Sequence, residues 1–400
     1  MKGRTRAGVG ALVLALAAVA VVAASIGGAA AQAAGKPIVI GYAYDSKGQM
    51  SPFDGPALAA ASVRIAQINA KGGVDGRLLE IKTCDTQNNN PAKAKSCAAG
   101  LLDGGAAVLF VTCDVEFSAP ATQEAIKRGV LAVAPCIGTD QMGPKRFGSL
   151  GKLAFSFGNL AQDEGAAMAE YAYKKGWRTA AVATDNLLIY FKNVDKAFEV
   201  RFTELGGKVV DHESYTAFDK TINTVVSKLN GVKADVIADC EAFGELPALV
   251  AGLRSLGNST PILNCWGGDG TYWNPKSPKV TNYWYVTYAS AFGNDPNPAV
   301  NALVAAMTKA GHAPGTGGFV TGAAAIDGVV TAIKRAGGST KGADLAAQLE
   351  KFTKVPTISG LVSFSAKLHS VFGRQYRVMR IENNVPKVVG SVIASSPAKI

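Results

Sequence analysis

Short apolar strands alternate with helices along most of this chain, and the alternation runs through twice. In the first pass, Ile38-Val39-Ile40-Gly41-Tyr42 reads as a buried strand, and 54–71 as a helix closed by Gly72-Gly73. Strand 78–83, helix 91–102, strand 107–111, helix 119–128 and strand 130–134 follow. The second pass starts near residue 158, with helices over 162–175, 193–205, 221–229 and 246–255. Its strands are expected over 179–184, 208–214, 236–239 and 262–264. Strands apolar on both faces, each followed by a helix, predict a parallel sheet covered on both sides. At 400 residues the chain exceeds one hydrophobic core, so the two passes predict two α/β lobes.

A further strand at 283–288 and helices at 299–310 and 319–336 come after the second pass. The tail from 361 to 393 alternates like an antiparallel hairpin with Asn383-Asn384 at its turn. Elements left over after two complete units imply that the chain returns to the first lobe and crosses again. Two lobes joined by several crossings form a hinge. In open α/β sheets ligands bind beyond the carboxyl ends of the strands, so two facing ends make a clamp.

The N-terminus has the layout of a secretory leader: Lys2, Arg4 and Arg6, an apolar run over 7–24, then Ala31-Gln32-Ala33 as an A-x-A cleavage site. A membrane anchor is the competing reading, but the run is Ala-rich and small residues follow at once. The mature chain is expected to start near Ala34 and to be exported. The whole chain holds 41 Lys and Arg against 30 Asp and Glu; the leader accounts for three of the bases and none of the acids. The surplus that remains is spread along the sequence, which argues against a nucleic-acid partner. Six cysteines in an exported chain suggest disulfides, with 15 connectivities open. None forms a C-x-x-C pair and none lies near His212, His312 or His369, so neither a zinc site nor any other cofactor is expected.

A series of motifs then carries a resemblance. Ile-Asn-Ala-Lys-Gly-Gly-Val at 68–74 is followed by Gly76-Arg77, Leu79-Glu80, Asp85-Thr86-Gln87 with Pro91, and Arg128-Gly129-Val130 with Ala134-Pro135. Asp185 with Tyr190, and Leu205-Gly206-Gly207, complete the series. In this order the motifs resemble extracytoplasmic solute-binding proteins of ABC importers, of the branched-chain amino-acid type. The resemblance implies the type I periplasmic binding fold: two Rossmann-like lobes, three crossovers and a ligand cleft between. It divides the chain into a leader at 1–33, lobe 1 at 34–157 plus 289–361, and lobe 2 at 158–288 plus 362–400. It also implies a monomer whose partners are one small solute, an ABC permease and its ATPase.

Residue by residue, the resemblance places ligand contacts in the loops after the strands. In lobe 1 these are Tyr44 and Asp45, then Glu116, Phe117 and Ser118, then Gly138 and Thr139. Ser118 is equally readable as a helix N-cap. In lobe 2 they are Tyr190, Phe243, Trp266 and Asp269. Glu116 stands where the family offers hydroxyls and amides to a ligand carboxylate. Trp266 stands where an acid meets the ligand ammonium. These departures leave two solute classes open, an amino acid or related amide and an aromatic or apolar carboxylate. On the same topology the cysteines fall into sequential pairs, Cys84–Cys97, Cys113–Cys136 and Cys240–Cys265.

An exported enzyme is the competing class. The sequence has no G-x-S-x-G, H-E-x-x-H or P-loop, and Asp114 with Glu116 is its best acid–base pair. A ligand sensor for a membrane receptor would use the same clamp as a transporter component. The expectation is therefore a non-enzymatic binding protein that closes on one solute.

Overall fold

The structure is a computed structural model that describes residues 35–400; the leader and the expected cleavage site lie outside the described residues. Lobe 1 is built on β1 (Ile38–Tyr44), β2 (Leu79–Asp85), β3 (Val108–Val111), β4 (Leu131–Ala134) and β5 (Ala154–Asn159). Between them run α1 (Ser51–Asn69), α2 (Pro91–Asp103), α3 (Val115–Lys127) and the short α4 (Pro144–Phe147). Lobe 2 follows with α5 (Ala161–Lys174), β6 (Thr179–Asp185), α6 (Ile189–Glu204), β7 (Lys208–Tyr215) and α7 (Ile222–Gly231). It continues through β8 (Val236–Cys240), α8 (Glu245–Ser255), β9 (Ile262–Asn264) and β10 (Tyr283–Thr287). The remainder is α9 (Pro298–Lys309), α10 (Phe319–Arg335), α11 (Gly342–Leu349), β11 (Val355–Thr357), β12 (Gly360–Val362), β13 (Ser370–Val371), β14 (Tyr376–Glu382) and β15 (Val385–Val392).

The strands form two main sheets, ordered β13-β5-β4-β3-β1-β2 and β15-β14-β10-β9-β8-β6-β7. Pairing among β1 to β5 and among β6 to β10 is parallel. The central strands β3 and β4 are buried throughout, which their unbroken apolar runs dictate, because helices cover both faces. The chain crosses between lobes three times: after β5, after β10 and after β13. β14 and β15 form the expected hairpin, with Asn383 and Asn384 at φ 53° and 67° in the two-residue turn.

Three features differ from the sequence expectation. The strand β5 was not anticipated, because Ala-Phe-Ser-Phe-Gly-Asn carries three non-apolar residues in six; it extends the first sheet to Asn159, past the boundary set at 157. The segment assigned to lobe 2 from 362 onward contains β13, which pairs with β5, so the last crossing follows Val371. The helix expected to start at 119 starts at Val115, because Asp114 caps it.

The core has separate apolar clusters inside each lobe and a further cluster that runs between them. The bridging cluster joins Phe53 and Phe319 of lobe 1 to Tyr190, Phe243 and Trp266 of lobe 2, with Tyr288 at the second crossing. Among the described residues no helix is long and apolar enough to cross a membrane.

Candidate functional site

Each sheet has one point where its strand order reverses. In lobe 1 the chain goes from β1 outward to β2, then back across to β3; in lobe 2 it goes from β6 to β7, then back to β8. Loops leaving such a point diverge to opposite faces and open a crevice, the usual ligand site of a parallel sheet. The two crevices face each other across one pocket. Lobe 1 contributes Met50 and Phe53 from the start of α1, Cys113 and Asp114 after β3, and Gly138 after β4. Lobe 2 contributes Leu188, Tyr190 and Phe191 from the start of α6, Ala242 and Phe243 after β8, and Trp266 and Gly267 after β9. The cavity between these groups is about 20 Å³. A broader and more open groove between α5, α6 and β15 lies on the outside of lobe 2, away from the strand ends.

Aromatic rings make the pocket wall continuous. Trp266 lies 5.1 Å from Phe53, 6.0 Å from Tyr190 and 5.2 Å from Tyr288, centroid to centroid. Phe191 continues the wall at 5.7 Å from both Tyr190 and Phe243. Gly138 permits the close approach of the lobes: a Cβ there would stand 2.5 Å from the Tyr190 ring.

The polar groups around these rings are mostly buried acids. Asp54, in the first turn of α1, accepts from the Asp45 N–H at 2.8 Å, the Thr112 hydroxyl at 2.6 Å and the Cys113 N–H at 2.9 Å. Asp114 caps α3 by accepting from the Phe117 N–H at 3.0 Å. Burial, and then the neighbouring Glu116 charge, push its carboxyl up to about 8. Glu164, in the first turn of α5, accepts from the Trp266 N–H at 2.6 Å, the Tyr190 hydroxyl at 2.9 Å and the Asn159 side-chain amide. Asn159 in turn accepts from the Tyr288 hydroxyl. One carboxylate thus joins the pocket to two of the three crossings. Burial pushes Glu164 up to about 7. Arg374, at the third crossing, donates to the Phe157 carbonyl at 2.7 Å and lies 4.7 Å from the centre of the Tyr288 ring. Among the described residues no Lys, Arg or His lines the pocket, and no group of three or more His, Cys, Asp and Glu is placed to hold a metal ion.

The disulfides pair as expected, Cys84–Cys97, Cys113–Cys136 and Cys240–Cys265, with Cα separations of 5.5, 4.8 and 5.0 Å. Sheet register explains two of them. Phe110 pairs with Val133 and Asp239 with Asn264, so residues equally far beyond each pair stay side by side. The Cys113–Cys136 bridge ties together two of the loops that line the pocket.

Of the residues singled out in the sequence, Gly138, Tyr190, Phe243 and Trp266 meet in the pocket. The others lie elsewhere. Tyr44 is half-buried at the end of β1, 5.7 Å from the Tyr42 ring. Asp45 is buried and accepts from the Gly48 and Met50 N–H groups and the Asn89 side chain, which folds its own loop. Glu116 is not a pocket-lining residue: one carboxylate oxygen is 4.0 Å from Arg146, and the other is buried on the side of Asp114. Phe117 packs on the bridging cluster from outside the pocket. Ser118 is not the cap of α3, because Asp114 is; its hydroxyl donates back to the Val115 carbonyl at 3.4 Å inside the helix. Thr139 accepts from the Gln141 N–H at 2.8 Å and from the Ser370 hydroxyl through its carbonyl. Asp269 accepts from the Thr287 hydroxyl at 2.6 Å and the Gly317 N–H at 2.5 Å, which pins the loop before α10. The sequence reading missed Met50, Phe53, Leu188 and Phe191 as lining residues and read Asp114 only as an acid–base candidate. The two helix starts that follow β1 and β6 were the available signal.

Comparison with known proteins agrees with this geometry. A curated relative from Brucella melitensis, a Leu/Ile/Val-binding protein homolog, is 24% identical over 343 residues, covering 84% of this chain and 89% of that protein. The branched-chain amino-acid substrate-binding protein LivJ of Streptococcus pneumoniae, solved with isoleucine, superposes with a TM-score of 0.76 at 21% identity, covering 89% of this chain and 99% of that one. A solute-binding protein of an ABC transporter from R. palustris, solved with benzoate, gives 0.74 at 18% identity over 91% and 97%. The family model described as periplasmic binding protein matches residues 37–386. With that match spanning almost every described element of both lobes, the chain belongs to the periplasmic binding protein family.

Proposed function

We propose that this chain is the exported solute-binding component of an ABC importer. It takes one small solute between its lobes, closes, and presents both lobe surfaces to a permease and its ATPase. It acts as a monomer and leaves the solute chemically unchanged. The observation that carries this reading is the meeting of both strand-order reversals at one aromatic pocket, with all three crossings behind it. A sensor role would use the same closure; the solved neighbour named as a branched-chain amino-acid transporter substrate-binding protein favours import. That neighbour and the Brucella melitensis relative support an amino acid or related amide as solute. The rings of Phe53, Tyr190, Phe191, Phe243 and Trp266 support a second reading, an aromatic solute, as in the R. palustris protein with benzoate.

Thermal-shift screening of amino acids, amides, aromatic acids and amines tests the reading. A true solute at about 100 times its Kd should add roughly 2.7 kcal/mol of stability. A hit recovered chemically altered would contradict it, as would a panel that never shifts the melting temperature.

A further inference from the structure

The pocket wall carries a charge signature that sorts the candidate solutes. Five rings, those of Phe53, Tyr190, Phe191, Phe243 and Trp266, surround a space whose one ionisable acid is Asp114. Asp114 is 3% exposed, and among the described residues no Lys, Arg or His lines the same space. Glu164 lies behind Trp266, bonded to its backbone N–H, so the titratable side chain that backs the wall is a second acid and not a base. Arg146 is occupied with Glu116, and Arg374 is turned toward the Phe157 carbonyl and the Tyr288 ring.

Each solute class meets this wall differently. A carboxylate would be buried beside Asp114 with no cation to receive it, in a desolvated site that already disfavours the ionised form of the acid it holds. A neutral hydrocarbon would give Asp114 no polar partner beyond the Phe117 N–H it already caps. An ammonium group satisfies Asp114 directly and is attracted to the negative faces of the rings. Resting on the reading of this pocket as a solute site, we propose that the solute is a small organic cation whose ammonium group is held by Asp114 within the aromatic wall, and that a carboxylate on the solute is not required. The high proton affinity that burial gives Asp114 fits this role, because a cation brought into the pocket restores the ionised form.

Titration calorimetry with two isosteric pairs tests the proposal: benzylammonium against benzoate, and isopentylammonium against isovalerate, with leucine alongside. In at least one pair the ammonium member should bind at least tenfold more tightly than the carboxylate, and Asp114→Asn should abolish that preference. Asn caps a helix about as well as Asp, so the variant should keep its fold, which its circular dichroism melt checks. Phe243→Leu supplies a second variant away from the cap and should weaken the ammonium member alone. The proposal is overturned if neither ammonium member binds at least tenfold more tightly than its carboxylate partner, if leucine binds and neither amine does, or if Asp114→Asn keeps the preference. X-ray scattering on the same samples separates the two readings. Contraction with benzoate or leucine but not with either amine removes the cation and leaves the clamp. Contraction with none of the five removes both.

Discussion

Glu164 holds the backbone of Trp266, the hydroxyl of Tyr190 and the amide of Asn159 at once, so a single side chain fixes both the pocket wall and the first crossing. Its removal leaves buried donors without an acceptor. Glu164→Ala should therefore cost about 2–4 kcal/mol in urea denaturation, and Glu164→Gln clearly less. Buried acids also set the pH response. Burial raises Asp54 and Glu164 to about 7 and Asp114 and Asp239 to about 8, above their unfolded values near 4. The folded state then holds more protons than the unfolded state, so this contribution is complete below about pH 4 and is lost as pH rises through about 7–8. The melting temperature should fall between about pH 6 and pH 8.5, and Asp114→Asn should flatten the decline; a melting temperature that rises over this range would contradict the assignment. The legible residues were those whose type announced a role, such as Trp266 beside two glycines. Asp114 was not, because a carboxylate in a loop reads as solvated until its burial is known.

At the scale of elements, close approach and covalent bracing decide whether the loops can meet. A methyl group on Gly138 would strike the Tyr190 ring of the other lobe. Gly138→Ala should hold the lobes apart and weaken solute binding about tenfold, or about 1.4 kcal/mol, with little change in unliganded stability. Unchanged affinity would place the contact outside the closing motion. The Cys113–Cys136 bridge joins the loops after β3 and β4 across a 23-residue span, and replacing both with Ser should cost about 2–4 kcal/mol. The central parallel strands could be read because they are short unbroken apolar runs, and the edge strands β2 and β7 because they recur between helices in the same rhythm. β5 could not, and α11 and the β11–β12 pair were also passed over, because short or partly polar segments gain their structure from what they pack against rather than from their own pattern.

For the whole molecule, the three crossings gather at one place. Asn159, Tyr288 and Arg374 each belong to a different crossing, and they touch one another or share the Tyr288 ring. A hinge built this way lets the lobes rotate while the two sheets keep their internal order. The two-lobed plan followed from the double strand–helix rhythm and from the elements left over after it. The point of the last return did not, because β13 is two residues long and leaves no periodic signal. Lobe closure on a solute is the claim on which every functional statement here depends. Small-angle X-ray scattering of the mature chain, titrated with leucine, phenylalanine, benzoate, benzylammonium and isopentylammonium, tests it most directly. The account predicts that the radius of gyration contracts and saturates with at least one of them, whereas a radius that stays constant through all five titrations would contradict it.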